Sequence, residues 1–140
     1  GGAGVALFNR FYQPDIDLAR LDLVDTLQLS TPDEVLLRLR WLAILRGQTA
    51  MTLAATGGVH GAPDALKLLL AGADVVHLAS SLLQHGPERL RDILAGMEAW
   101  MEENEYDSVA QMKGSMSLAK LPNPAAVVRE SYVRVLWNWY

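Results

Sequence analysis

Apolar residues recur along the chain in short runs, separated first by a polar segment and later by helical repeats. The run at residues 5–9 follows a glycine-rich turn and predicts a short buried strand. Residues 10–22 carry Pro14 and three Asp residues, which break any period, so this segment is predicted to be a loop. Residues 23–29 alternate roughly between apolar and polar side chains, in the manner of a half-buried strand. The N-terminal part therefore predicts two strands joined by a loop.

The features of a helix start lie together at Ser30-Thr31-Pro32, where a hydroxyl residue can cap the helix and Pro fits its first turn. Acidic residues follow, at the positive end of the helix dipole. Apolar residues at helical spacing continue from there, and the helix is predicted to end near Gly47. Residues 50–56 then predict a strand that ends in Gly57-Gly58.

The same order of helix and strand is predicted again in the middle of the chain. Residues 61–64 open a helix whose apolar side chains share one side, and Gly72 closes it as a left-handed cap. Residues 74–79 predict a further strand, and residues 80–84 a short helical turn. Strands that alternate with helices imply parallel pairing with right-handed crossovers. The predicted fold class is therefore α/β.

Two more helices are predicted in the last third of the chain. One starts at Gly86-Pro87-Glu88 and carries apolar residues at the spacing of a core-facing helix. These residues are Leu90, Ile93, Leu94, Met97, Trp100 and Met101. The acidic residues between positions 98 and 105 predict a solvated face. The other helix covers residues 124–139 and has one apolar stripe.

The composition fits one globular domain and restricts the classes of partner. The chain has 140 residues, of which 51% are hydrophobic and 20% charged, as is ordinary for a globular protein. Its net charge of −4 offers no basic stripe for nucleic acid, and its first apolar run is far too short for a membrane span or a signal peptide. The absence of Cys excludes disulfides and thiol catalysis and fits a cytoplasmic protein. We therefore expect a small-molecule partner, without nucleic acid or a membrane span.

The most informative feature is a pair of strand ends, Gly57-Gly58 and Ala79-Ser80, separated by one predicted helix. In (β/α)8 barrels, the loops after the last two strands commonly bind a phosphate group. A phosphate needs several backbone N–H donors at close range, which Gly permits. A Gly-Gly pair alone is equally typical of an ordinary tight turn. The second loop at the right distance favours the phosphate site.

Several segments resemble the dihydroorotate dehydrogenase family. The spacing from Gly57-Gly58-Val59 through Ala65 to Gly72-Ala73 reproduces the C-terminal signature of that family. The resemblance covers essentially the whole chain, in the segments LFNRFYQPDIDL, RWLAILRG, LAATGGVHGAPDALKLLLAGADVV, LASSLLQHGPERL, AWMEENEYDSVAQMKGSMS and PNPAAVVRESYVRVL. It implies a single partial domain over residues 1–140, the C-terminal part of an FMN-binding (β/α)8 TIM barrel. Residues 1–85 would hold about strands six to eight with the phosphate-binding loops, and residues 86–140 the following helices.

The resemblance also implies roles for individual residues of a flavin-dependent oxidoreductase acting in pyrimidine biosynthesis. The residues whose backbones would bind the FMN phosphate are Gly57, Gly58, Ala79 and Ser80. Asn9 would contact the substrate, dihydroorotate or a related compound, beside the flavin. The catalytic base and a Lys near the flavin would lie upstream, so no catalytic residue is expected in this chain. Two departures from the family are Ala79, where many members have Gly, and Arg10, where a small hydroxyl residue commonly follows the Asn.

Other interpretations remain open from the sequence. The chain begins without Met and shows only three of eight barrel strands, so a catalytically silent half-barrel or structural fragment is an alternative. Dimerisation of such halves would cover their strand edges. A phosphate-binding barrel enzyme without flavin is a further alternative. The aromatic residues at 137–140 could form an interface or cover the barrel. The histidines His60, His77 and His85 fit no metal-ligand spacing. His77 could face the barrel interior near the flavin, but we expect it to be a packed core residue.

Overall fold

The computed structural model describes residues 1–10, 13–122 and Pro124. The strands are β1 (Gly4–Leu7), β2 (Asp15–Asp17), β3 (Asp22–Val24), β4 (Thr52–Thr56) and β5 (Val75–His77). β1, β4 and β5 form a three-stranded parallel sheet with β4 in the middle. The register pairs Leu7 with Ala55 and Thr56 with His77, so the carboxyl ends of all three strands meet at one edge. Parallel strands confirm the predicted α/β class.

The helices follow the predicted order. They are α1 (Val35–Leu45), α2 (Ala62–Ala71), α3 (Ser80–His85), α4 (Glu88–Glu103) and α5 (Val109–Met112), with 3-10 turns at Pro32–Glu34 and Leu118–Lys120. Gly72 ends α2 with a φ of 127°, where its N–H donates to the carbonyls of Leu68 and Leu69. A side chain at this φ is strained, so Gly is suited to the cap. The starts of α2, α3 and α4 and the ends of α1 and α2 were thus predicted to within a few residues, whereas α5 was not predicted.

The core lies between one face of the parallel sheet and the helices α1, α2 and α4. Leu53 and Ala55 of β4 are buried against Leu42 of α1, Leu68 of α2 and Ile93 of α4. Alternate residues of a strand point to opposite faces, so the positions between these side chains form the other face of the sheet. That face is less covered and carries Ala54, Thr56, Val75 and His77. Within the part of the chain that the structure describes, helices therefore cover one side of the sheet only.

His77 contradicts the prediction of a packed core residue. It lies on β5, on the face away from the helices, and is exposed. Its neighbour Val76 points the other way and packs against the hydrophobic core. Because successive side chains of a strand point to opposite faces of the sheet, only one of these two neighbours can face the helices. The sequence run Val75-Val76-His77 was too short to show which residue would face the helices.

The segment before α1 differs most from the prediction. Residues 10–22 were predicted to be a loop, but Asp15–Asp17 forms a strand that pairs antiparallel with Asp22–Val24. The Asp17 carboxylate accepts hydrogen bonds from the N–H groups of Ala19 and Arg20, at 2.8 and 3.1 Å. This side chain therefore forms the turn of a hairpin rather than interrupting a strand. The strand predicted over residues 23–29 ends at Val24, so most of that prediction was wrong.

The predictions for the C-terminal helices are confirmed only in part. The long helix α4 is present, yet Leu90 and Leu94 are exposed, against the prediction that they face the core. Ile93 is buried, and the acidic residues between 98 and 105 are exposed as predicted. The helix predicted over residues 124–139, including its apolar stripe, lies outside the described residues apart from Pro124.

Candidate functional site

A cavity of about 170 Å³ lies at the carboxyl ends of the three parallel strands. It is lined by residues 9–10 after β1, residues 56–59 after β4, residues 78–80 before and at the start of α3, and Ser30. All five predicted site residues are among them. A cavity of roughly 150 Å³ holds a molecule the size of benzene. This cavity is therefore large enough for a phosphate group but not for a whole flavin nucleotide.

The Gly57-Gly58 turn forms the wall of the cavity after β4. Both glycines have positive φ, 92° and 84°, a conformation that other residues adopt only with strain. A Cβ atom on Gly58 would lie 2.7 Å from the backbone nitrogen of Val35, and one on Gly57 would lie 3.0 Å from Nη2 of Arg38. The conformation and the close approach of α1 therefore both require Gly at these positions. The turn can thus pack directly against α1, and both of its residues line the cavity.

Arg38 supports this turn from behind. Its side chain is buried, its Nε donates to the Thr56 carbonyl at 3.0 Å, and its Nη1 donates to the Glu34 carbonyl at 2.8 Å. A buried guanidinium needs such partners, because its desolvation is otherwise costly. Arg38 shares the helix face of Val35 and Leu42, both buried. A charge at this apolar spacing is the sequence feature that could have identified Arg38, which our sequence analysis missed.

The opposite wall is formed by Ala79 and Ser80 at the start of α3. The Ser80 hydroxyl oxygen accepts a hydrogen bond from the N–H of Ser30 at 2.9 Å, and its own proton remains available for donation. The Ser30 hydroxyl is buried and lies 3.3 Å from Nε2 of His60. Arg89 of α4 holds the His60 carbonyl with its Nε and Nη2, at 3.0 and 2.8 Å. The loops after β4 and β5 are therefore fixed to each other and to α4.

Asn9 and Arg10 complete the cavity from the loop after β1. Asn9 is exposed and Arg10 is half-buried. Among the described residues that line the cavity, Arg10 carries the only formal charge, and none is a carboxylate or a histidine. Backbone amides, hydroxyls and one guanidinium are suited to hold an anion rather than to accept a proton. The lining residues to which the sequence analysis gave no site role are Arg10, Ser30, Thr56, Val59 and Leu78.

Asp74 fixes the start of β5 and so the position of the second loop. Burial alone would raise the pKa of its carboxyl group, but hydrogen bonds from Lys113 at 2.7 Å, the Leu53 N–H at 2.9 Å and Arg46 at 3.1 Å outweigh that effect and lower the pKa. The carboxylate therefore joins α1, β4 and α5 in its ionised form.

The histidines lie apart from one another, and the residues that the structure describes contain no group of His, Asp or Glu able to hold a metal ion. Across the described ranges, no helix combines the length and the hydropathy needed to cross a bilayer.

Parts of the chain are similar in sequence to curated dihydroorotate dehydrogenases, although no protein-family model matches it. Dihydroorotate dehydrogenase (quinone) of Deinococcus radiodurans is 38% identical over 71 residues, covering 51% of this chain and 19% of that protein. The catalytic subunit of dihydroorotate dehydrogenase B (NAD(+)) of Methanothermobacter thermautotrophicus is 38% identical over 58 residues, covering 41% and 19%. The chain thus spans about a fifth of the length of the curated relatives it matches.

Solved structures show a likeness of fold. The DHODH of Eimeria tenella in complex with ferulenol matches 80% of this chain and 30% of its own, with a TM-score of 0.63 and 18% identity. The ligand-free enzyme of the same organism matches 54% of this chain and 22% of its own, with a TM-score of 0.51 and 22% identity. In sequence and in fold, the chain is therefore dihydroorotate dehydrogenase-like.

Proposed function

We propose that this chain is the C-terminal part of an FMN-dependent oxidoreductase that oxidises dihydroorotate, or a related cyclic compound, in pyrimidine biosynthesis. The observation that carries the proposal is the cavity, which brings together the loops after three adjacent parallel strands. Loops at the carboxyl ends of parallel strands are where barrel enzymes bind their ligands. The names of the curated relatives include both quinone and NAD(+), so the proposal leaves the electron acceptor open.

The architecture supports the proposed barrel. One face of the sheet is covered by α1 and α2, and the opposite face is free of helices among the described residues, as the inner face of a partial barrel would be. Both β1 and β5 pair only with β4 among the described strands, so each has an edge that further strands could extend. We assign the last strands and their loops to residues 1–85 and the following helices to residues 86–140.

The residues present fit a phosphate group. The backbones of Gly57 and Gly58 face the cavity without side chains, and the Ser80 hydroxyl retains a proton to donate. Ala79 contributes its backbone from the facing loop. When bound, FMN would supply the redox chemistry, and the protein would hold and orient it. The cavity fits only the phosphate end, so the rest of the flavin would extend beyond it.

Asn9 is proposed to contact the substrate. It lies two residues after β1 and lines the same cavity as the glycine turn. Its amide can donate and accept hydrogen bonds, as the polar edge of a dihydropyrimidine requires. The catalytic base is proposed to lie upstream of this chain.

A cytoplasmic location is supported by the lack of Cys, and a homodimer by the apolar residues exposed on the surface.

A second candidate is that the chain by itself binds phosphate without catalysing a reaction. It is favoured by the absence of any carboxylate or histidine among the described cavity residues. The two candidates differ in one measurement, because only the first predicts dihydroorotate oxidation by the parent protein. Detectable oxidation by the 140-residue chain alone would contradict the second.

Flavin binding is tested on the parent protein with Gly57→Ala, Gly58→Ala and a matched control. Gly86→Ala is the control, because Gly86 has a similar φ of 79° but nothing within 4 Å of the added Cβ. All three substitutions carry backbone strain, on the order of 1–3 kcal/mol each. We expect the wild type to be purified with yellow flavin, and FMN affinity to fall about tenfold or more in the two cavity variants only.

Gly57→Ala keeps this test independent of misfolding. Its added Cβ meets the end of the Arg38 side chain, which can shift, whereas that of Gly58→Ala meets the backbone of Val35. Gly57→Ala should therefore fold with a native circular dichroism spectrum and still bind FMN weakly. A wild-type protein without flavin absorbance and without FMN affinity on titration would refute the proposed cofactor.

A further inference from the structure

Three charged side chains join the loop after β1 to the start of α1 and the end of β4. We call them the Arg10–Glu34–Arg38 cluster. Nε of Arg10 lies 3.2 Å from Oε2 of Glu34, and Nη2 of Arg38 lies 3.4 Å from the same oxygen. One carboxylate is thus shared between two guanidinium groups. The cluster has a net charge of +1, from two arginines and one glutamate, beside a cavity with no other formal charge among its described lining residues.

The shared carboxylate is itself held in place. Its Oε1 accepts a hydrogen bond from the Thr31 N–H at 3.2 Å, at the start of α1. Arg10 is held a second time, because its Nη1 donates to the Gln28 carbonyl. Two fixed partners leave the guanidinium with donors to spare, since it has about five N–H groups. Arg10 is therefore oriented before any ligand arrives, which lowers the entropic cost of binding.

We propose that Arg10 is a further anion-binding residue of this site, which Glu34 orients so that its guanidinium contacts the phosphate group held between the loops of Gly57-Gly58 and Ala79-Ser80. The inference rests on the proposed function and extends it, because no role in phosphate binding was assigned to the loop after β1. Arginine suits this role because its planar donors match phosphate oxygens in pairs.

The position of the cluster favours phosphate over a substrate carboxylate. Arg10 lines the same cavity of about 170 Å³ as the two loops, and that volume leaves room for one small anion. Arg38, the other cation of the cluster, contacts the carbonyl of Thr56 directly before the glycine turn. The positive charge is therefore concentrated on the side of the cavity formed by α1 and the end of β4.

The test compares FMN with riboflavin, which has the same ring system but no phosphate, on the full parent protein. Arg10→Gln should weaken FMN binding about 10- to 100-fold, the range for a lost charge-assisted hydrogen bond, and leave riboflavin affinity unchanged. Arg10→Lys should restore part of the FMN affinity. Arg91→Gln is the matched control, because Arg91 is exposed on α4 and pairs only with Glu88 among the described residues. It should alter neither affinity.

Glu34→Gln tests the orienting role separately. It removes the charge that holds Arg10 while leaving Arg10 in the cavity, so FMN affinity should fall less than in Arg10→Gln. Its effect should be smaller in the Arg10→Gln background than in the wild type, because the part that acts through Arg10 is already lost there, while the contact of Glu34 with Arg38 contributes equally in both. Equal losses for FMN and riboflavin in Arg10→Gln, or a raised KM for dihydroorotate with unchanged FMN affinity, would overturn the inference.

Inorganic phosphate separates this inference from the proposed cofactor. If the wild type binds no FMN, the proposed function fails, and phosphate titration then decides about Arg10. Phosphate binding that weakens in Arg10→Gln and not in Arg91→Gln would support the anion-binding role without flavin. A wild type that binds neither FMN nor phosphate would refute both.

Discussion

The helices α2 and α4 are both amphipathic, but α4 carries more charged residues and much less of it is buried. Five of the ten residues of α2 are buried, against one of the sixteen residues of α4. The short helix lies between α1, α4, α5 and β5, whereas α4 contacts mainly α2 and α3. An amphipathic pattern therefore shows which side of a helix can be buried, while the number of neighbours decides how much of it is.

The contact between the two helices is close where it does occur. A Cβ on Gly96 of α4 would lie 2.8 Å from the Cβ of Ala62 at the start of α2. Ile93, one turn earlier, is buried in the main core. The outer side of α4 instead forms an open groove of about 440 Å³ with Leu94, Met101 and the segment around Tyr106. One side of this helix thus contacts α2 and the core, and the other side is surface.

The largest effect should appear on truncating a buried leucine of α2, in comparison with an exposed leucine of α1. Leu68 of α2 is fully buried, so Leu68→Ala should lower the free energy of unfolding by about 2–5 kcal/mol through lost transfer energy and a residual cavity. Leu36→Ala, at a residue of α1 that is 63% exposed, should change it by less than about 0.5 kcal/mol. Chemical denaturation measures both. Equal effects would mean that α2 is not the centre of the core.

A smaller effect is expected at Asp74, which follows α2 and ties its end to α1, β4 and α5. Asp74→Ala leaves Arg46 and Lys113 without their shared carboxylate and should cost about 1–3 kcal/mol. Asp92→Ala, at an exposed carboxylate of α4, serves as the control and should cost less than about 0.5 kcal/mol.

The effect of Asp74→Ala should depend on pH. Because the folded pKa of Asp74 is lowered, its stabilisation is fully present above the pKa of the unfolded chain and is lost as the pH falls through the folded value. The difference in stability between wild type and variant should therefore be largest near neutral pH and shrink in the acidic range below the ordinary pKa of Asp. A difference that grows on acidification would contradict the assigned ion pairs.

The same comparison explains how much of the structure the sequence could predict. The parallel α/β order could be predicted from local features of the sequence. Caps such as Gly72 and the glycine turn at Gly57-Gly58 depend only on residues close to them in the chain. The five site residues were found in one cavity, since the carboxyl ends of adjacent parallel strands must meet. Burial on α4 and the inward or outward direction of His77 could not be predicted, because both depend on elements distant in the sequence.

The residues in and behind the cavity that were not predicted were missed for the same reason. Arg38 reaches Thr56 across 18 positions of the chain, and the Ser30 N–H meets the Ser80 hydroxyl across 50. No local pattern marks such pairs, although an Arg at a core position of α1 is a visible anomaly. Long-range polar contacts of this kind are where a sequence-based account of a site is incomplete.

The smallest effect is expected on the outer side of α4. Leu94 is 55% exposed and lines the groove, so Leu94→Gln should change the free energy of unfolding by less than about 0.5 kcal/mol. If the groove takes part in the proposed homodimer, the variant should dissociate at higher concentration than the wild type in sedimentation velocity, because an apolar contact is lost. Leu83→Gln, at a residue of α3 that is 68% exposed and lies outside the groove, should leave association unchanged. A loss of several kcal/mol in Leu94→Gln would show instead that α4 is covered on both sides, and the contrast with α2 would then disappear.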